Sequence, residues 1–253
     1  MVQVTIIGSG NVAHHLIQAF SKSDEVELVQ VFSRNKESVS KLISSDKIIS
    51  NYKDLKEADL FLIAVSDDAI ANVSSQIPFR NKLVAHTSGN FAMTDLDDKN
   101  RKASFYPLQT FSKFKAVDFK NIPICLEAMN TEDLAMLEIV AKSISDKVYN
   151  INSEQRKALH VAAVFVSNFT NHLCQIGNEI CVENDLSFDL LKPLIQETAN
   201  KIMSLSPNEA QTGPAKRKDT QTINSHLNFL TDENQKEIYK LLTKSIIDNG
   251  KKL

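Results

Sequence analysis

Three features of the chain predict a doubly wound α/β domain followed by an all-α domain. Up to about Asn150, short apolar runs alternate with amphipathic stretches, as strands and helices laid in turn require. After Asn150 the strand-like runs stop and helical spacing alone continues. Near the start, Gly8-Ser9-Gly10-Asn11-Val12-Ala13 links the first strand to the first helix through a tight glycine turn. The expected domains are therefore residues 1–150 and 151–253.

The elements follow in order. Val2–Ile7 reads as a strand, and Val12, Leu16, Ala19 and Phe20 fit one face of a helix. Val26–Phe32 is a second strand. Asp59–Val65 is apolar almost throughout, which marks a central strand covered on both faces. It runs into Ser66-Asp67-Asp68, which can cap a helix start. Lys82–Ala85 leads into His86-Thr87-Ser88-Gly89, and Ala103–Tyr106 ends at Pro107-Leu108-Gln109-Thr110-Phe111. Late strands at Ile122–Leu126 and Lys147–Tyr149 flank a helix from about Thr131 to Ser143.

In the second half, Asn152 and Gln155 have the spacing of a capping box. The helix they open is expected to run to about Glu183, roughly 45 Å in length. A further helix, Phe188–Leu205, would pack through Leu190, Leu191, Leu194, Ile195 and Ile202. Pro207–Arg217 reads as an irregular connection, and two last helices fall within Asp219–Leu230 and Asp232–Asn249.

Bulk properties narrow the class. The 253 residues carry 29 basic and 31 acidic side chains, so the net charge of −2 offers no field for nucleic acid. Lys216-Arg217-Lys218 is short and followed by Asp219. No secretory leader fits the N-terminus, and the longest apolar run, Leu60–Val65, is too short to span a membrane. A cytoplasmic location is expected. Cys125, Cys174 and Cys181 form no C-x-x-C pair and are expected as packed free thiols. The six histidines show no metal-ligand spacing, so no metal is expected.

A strand, a glycine turn and a helix together hold a dinucleotide pyrophosphate, the Rossmann arrangement. The first Gly makes the turn, the second lets backbone approach phosphate, and the helix's free N–H groups face the anion. This assigns Gly8, Ser9, Gly10, Asn11 and Val12 to the cofactor. An NAD-selective site would place Asp or Glu at the end of the second strand, where this chain has Ser33-Arg34-Asn35. Arg34 offers a planar, permanently charged fork to a 2′-phosphate, so NADP(H) is the expected cofactor. The plainer alternative is that Arg34 is a solvated loop charge. Ligands gather at the carboxyl ends of such strands, so Ser66, His86, Ser88, Gln109 and Thr110 are expected to converge near the cofactor.

With these residues in view, the chain resembles a family of NADP oxidoreductases that pair a Rossmann domain with a helical domain of unassigned function. The likeness rests on Gly8–Ala13, Ala64-Val65-Ser66-Asp67-Asp68-Ala69-Ile70, His86–Gly89, Pro107–Phe111, His160-Val161-Ala162-Ala163-Val164-Phe165-Val166-Ser167-Asn168 and Thr212-Gly213-Pro214. The N-terminal half is similar to deazaflavin-dependent NADP reductases and pyrroline-5-carboxylate reductase. The overall plan resembles β-hydroxyacid dehydrogenases, and some members are taken to be an alternative ketopantoate reductase. The resemblance implies a reductase with Ala64 and Val65 also beside the cofactor, and a homodimer formed through the helical domain. One departure stands out: β-hydroxyacid dehydrogenases present a Lys one turn before an Asn, and here Val164 precedes Asn168.

The proton donor must then come from elsewhere. The family motif points to His160, although eight residues of α-helix, about 12 Å, separate it from Asn168. His172 is a nearer rival, and Lys157 lies farther off on the same face. His160 has an equally good reading as a packed histidine. Asn168, set among Ala162, Ala163, Val166 and Phe169, is expected to be a buried amide in need of a partner such as substrate. Gln109 and Thr110 are candidate substrate contacts, and Arg217 could hold a substrate carboxylate. The leading expectation is NADPH-dependent reduction of a small carbonyl or imine, with 2-oxo acids such as ketopantoate in view. The alternatives are an NADP(H)-binding regulator without turnover, which Val164 favours, and a deazaflavin-dependent NADP reductase.

Overall fold

The computed structural model describes residues 1–249, so the last four residues of the expected 151–253 region lie outside them. The chain forms two compact units that divide between Asn168 and Phe169. The last strand ends at Asn150, and the first helix of the C-terminal half stays with the sheet.

The first unit is built on an eight-stranded sheet. In chain order the strands are β1 Val2–Ile7, β2 Val26–Phe32, β3 Ile48–Ile49, β4 Leu60–Ile63, β5 Leu83–His86, β6 Arg101–Pro107, β7 Ile124–Ala128 and β8 Val148–Asn150. Their spatial order is β3-β2-β1-β4-β5-β6-β7-β8. All neighbours are parallel except β6 and β7. The helices of this unit are α1 Asn11–Phe20, α2 Asp67–Gln76, α3 Thr131–Lys142 and α4 Ser153–Ala163. The order changes direction between β1 and β4, which puts a crevice at the carboxyl ends of these strands.

Side-chain alternation explains why both sheet faces are covered. Val4, Ile6, Leu60 and Leu62 join α1 and α3 in one apolar layer, while Ile7, Phe61, Ile63 and Ile70 form the other. All eight are 0% exposed, as a buried parallel sheet demands. The ladder continues past the strand ends: Gly8 N–H donates to Phe32 O at 3.0 Å and Ala64 N–H to Ile7 O at 2.8 Å. These bonds fix the loops that form the crevice. β3 has only two residues, too few for a periodic signal in the sequence.

α4 opens with the expected capping box, in which Asn152 and Gln155 satisfy each other's backbone groups. The single helix expected from there to Glu183 is interrupted. Val164–Phe169 is a π-helical turn, and α5 Thr170–Glu183 follows it. A π turn bonds i to i+5 and so shifts the angular register of everything after it.

The second unit contains α5, α6 Lys192–Ser204, α7 Pro207–Ala210, α8 Pro214–Arg217, α9 Thr220–Phe229 and α10 Glu233–Asn249. Phe188–Leu191, expected as the start of α6, is instead a separate 3-10 turn. Pro193 supplies no N–H and fits the first turn of α6. The stretch expected to be irregular holds two short helices, each beginning at a proline. The expected packed side of α6 is corrected too: Leu190 is 67% exposed and Leu194 63%, with Ile195 and Ile202 also exposed. Apolar spacing records a face that avoids water, and it reads the same whether that face meets a core or another molecule. Among the described residues no helix is long and apolar enough to cross a membrane.

Candidate functional site

Two cavities of the first unit gather the expected site residues. The larger, about 720 Å³, sits at the carboxyl ends of β1, β2 and β4. Gly8, Ser9, Gly10, Asn11, Val12, Ser33, Arg34, Ala64, Val65 and Ser66 all line it. Gly8 is required by geometry: its φ is +139°, and an added Cβ would stand 2.1 Å from Ala64 O. Gly10 caps α1, and a Cβ there would meet nothing within 4 Å, so backbone is open to a ligand. The first turn of α1 has no acid and no side-chain cap, leaving its N–H groups to an anion. By contrast, α2 begins with Asp67 and Asp68.

Arg34 is exposed at the end of β2 and lines the same cavity as the glycine turn. A pyrophosphate at α1 and a 2′-phosphate at Arg34 therefore fit one NADP(H) molecule. Tyr52, which the sequence reading did not single out, also lines this cavity. Its ring stacks on Phe32 at 4.1 Å. Burial pushes its phenol up, partly offset by the positive Arg34.

His86 and Ser88 are placed differently. Neither lines the cavity, whereas Thr87 between them does. His86 is fully buried, and its Nδ1 accepts from Ser88 N–H at 3.2 Å. Burial, with the positive Arg156 adding to it, holds the ring down to about 3, so it is neutral at physiological pH. The Ser88 hydroxyl accepts from the N–H groups of Asn90 and Phe91, both at 3.0 Å, and so shapes the turn.

The second cavity, about 520 Å³, is lined by Tyr106, Gln109, Thr110, His160, Val164 and Asn168, with Leu108, Leu159 and other small or apolar residues completing its wall. Gln109 and Thr110 thus join His160 and Asn168 rather than the larger cavity. His160 and Asn168 line one cavity, with Asn168 inside the π turn that follows α4. Asn168 is exposed in the chain, not the buried amide expected from its apolar neighbours. Those neighbours are themselves exposed: Val166 at 75% and Phe169 at 49%.

His160 is held by two contacts. Its Nδ1 lies 3.0 Å from the Tyr106 hydroxyl. Gly89 also packs on this part of the ring: a Cβ there would be 2.5 Å from Nδ1, so only glycine lets the ring sit there. Burial is the largest cause pushing the Tyr106 phenol up to about 12, with Cys125 and Asp67 adding and Arg156 opposing. Sequence spacing gave no sign of this pair, whose members are 54 residues apart.

Arg156, one turn before His160, is the largest fully buried side chain. It forms an ion pair with Glu127 of β7 and donates to Phe91 O at 2.9 Å and Ser153 Oγ at 3.1 Å. The Glu127 carboxylate also accepts from Ser153 N–H at 2.9 Å and from its hydroxyl at 2.7 Å. The start of α4 is thereby pinned to the sheet. Beyond this unit, Arg217 is exposed at the end of α8 and His172 is exposed on α5.

A glycine cradle and basic strand end beside a second, histidine-bearing cavity define a nucleotide-dependent α/β enzyme. The comparisons agree. Residues 3–88 match the family described as NADP oxidoreductase, coenzyme F420-dependent. Residues 122–246 match a domain of unknown function, DUF2520. A Bacteroides fragilis protein described as an NADP oxidoreductase is 39% identical, with 98% of each chain covered and a TM-score of 0.89. A Thermotoga maritima protein is 21% identical over 98% of each chain, with a TM-score of 0.75. Plasmodium falciparum pyrroline carboxylate reductase, solved with NADP bound, shares the fold at 13% identity, covering 97% of this chain and 98% of its own, with a TM-score of 0.61. No curated protein matches the sequence significantly. The chain belongs to the NADP oxidoreductase family that joins a Rossmann domain to this helical domain, and its cofactor is NADP(H).

Proposed function

We propose that this oxidoreductase reduces a small carbonyl or imine metabolite with NADPH, with ketopantoate-like 2-oxo acids and cyclic imines as the substrate classes. The observation that carries this reading is the gathering of His160, Asn168, Gln109 and Thr110 around one cavity. NADPH supplies the hydride when bound. As the substrate carbon is reduced, negative charge builds on oxygen and a proton is needed there. His160 donates it, and the amide of Asn168 orients the reacting group. The apolar walls from Leu108, Leu159 and Val164 limit water around the developing charge. The pyrroline carboxylate reductase named above acts on a cyclic imine, which supports including that class.

In this reading residues 1–150 bind NADP(H), and residues 151–253 serve substrate binding and self-association. Arg217 anchors the carboxylate of a 2-oxo acid. A homodimer forms through the exposed apolar residues of the helical unit, Leu173, Leu186, Leu190 and Leu194 among them. The protein acts in the cytoplasm.

NADPH oxidation is to be followed spectrophotometrically against ketopantoate, other 2-oxo acids and cyclic imines. Turnover of one class is expected. Tight NADPH binding with no oxidation across the panel would favour a regulatory protein, the reading that Val164 in place of a lysine supports. Oxidation only with a deazaflavin would move the assignment to cofactor exchange.

A further inference from the structure

We infer that Tyr106 is a positioning residue for the reduction: its hydroxyl donates to His160 Nδ1 and so keeps the proton of the neutral ring on Nε2. The inference rests on the reading of His160 as proton donor. Three observations carry it. The hydroxyl and Nδ1 are 3.0 Å apart, within ordinary hydrogen-bond reach. Gly89 closes the Nδ1 edge of the ring, where even a methyl group would collide. Nε2 has no protein partner among the described residues, and both rings line the cavity that gathers Asn168 and Gln109.

The tautomer follows from what each atom can do. Tyr106 is 8% exposed and its hydroxyl proton needs an acceptor. A phenol pushed up to about 12 by burial stays protonated across the working range. With that proton shared to Nδ1, the neutral imidazole must carry its own hydrogen on Nε2. In the proton step, Nε2–H passes to the substrate oxygen while the Tyr106 proton moves to Nδ1. The ring remains neutral; a proton from water then returns to Nε2 while the Nδ1 proton goes back to the phenolate, which restores the resting tautomer. A neutral donor of this kind works above the pH at which a free imidazolium is lost.

The charged and titratable groups around the pair come from several elements. Arg156 on α4 acts against the phenol's rise, whereas Cys125 on β7 and Asp67 on α2 add to it. Glu127 on β7 compensates Arg156, and His86 on β5 is buried and neutral. None of their side chains is hydrogen-bonded to the His160 ring.

The test is nitrogen NMR of the full chain with labelled histidine, without cofactor, at about pH 8 where free imidazole is neutral. His160, assigned by loss of its signals in His160→Gln, is expected as the Nε2–H tautomer. Tyr106→Phe should lose that bias, as should Gly89→Ala, which displaces the ring while keeping the phenol. Finding the Nδ1–H tautomer in the native protein, or an unchanged tautomer in Tyr106→Phe, would overturn the inference. With a substrate from the screen, kcat of Tyr106→Phe should fall and its pH profile should change shape relative to the native enzyme, with KM nearly constant. A pH profile parallel to that of the native enzyme would also overturn it. The Nε2–H tautomer together with full turnover in His160→Ala would instead fell the donor reading, which separates the two claims.

Discussion

The two compact units differ in how far a single chain finishes them. In the first, both faces of the sheet are closed, and strand residues such as Ile6, Leu62 and Phe105 are fully buried. In the second, among the described residues, Cys181 and Ala215 are the apolar residues that reach burial, while Leu190, Leu194, Met203 and Leu241 stand open to solvent. The second unit leaves these apolar side chains uncovered within one chain, and the proposed homodimer rests on that exposure.

Substitutions in each unit test the contrast. The largest effect is expected at Arg156. Its change to Ala leaves Glu127 without its buried partner, at a cost of about 3–5 kcal/mol in denaturant unfolding. A loss below about 1 kcal/mol would show that α4 is not anchored there. Gly8→Ala comes next, because its Cβ would overlap Ala64 O and its φ is unsuited to a side chain. NADPH affinity by calorimetry should fall on the order of 100-fold, or about 2.7 kcal/mol.

His86 gives the first unit a pH signature. Its ring is held down to about 3 in the fold, against about 6.5 in the unfolded chain. Below the unfolded value, the unfolded state binds the proton and the fold does not. Stability is thus fully present above about pH 6.5 and falls toward pH 3 by about 1.4 kcal/mol per pH unit. His86→Asn should remove that part of the slope in urea titrations at stepped pH. An unchanged slope would place the acid sensitivity elsewhere. The smallest effect on folding is expected in the helical unit. Leu190→Ser with Leu194→Ser should change unfolding of dilute protein by less than about 0.5 kcal/mol. The same pair should weaken self-association in sedimentation. Unaltered association would separate these leucines from any dimer surface.

Legibility in the sequence followed the same divide. The parallel strands announced themselves as apolar runs, and the glycine turn and capping box used local chemistry that spacing alone reveals. Of the strand-end residues expected near the cofactor, Ser66 lines the glycine-turn cavity, whereas His86, Ser88, Gln109 and Thr110 do not, because position at a strand end does not say which way a loop turns. The π turn did not announce itself, since Val164–Phe169 looks like any amphipathic helix. Tyr106 and His160, like Arg156 and Glu127, are joined across the fold, and nothing local marks either pair. Gly89 was visible only as part of a turn, although its missing side chain is what admits His160. The burial of Asn168 was misjudged for a related reason: apolar neighbours at helical spacing imply a covered face without saying what covers it.

The central claim is that hydride chemistry on NADPH is completed by a proton from His160. Its most direct test compares native protein and His160→Ala for NADPH affinity and for turnover of the substrate found in the screen. The account predicts turnover lower by about 100-fold or more, with NADPH affinity within about twofold. Unchanged turnover at unchanged affinity would contradict it.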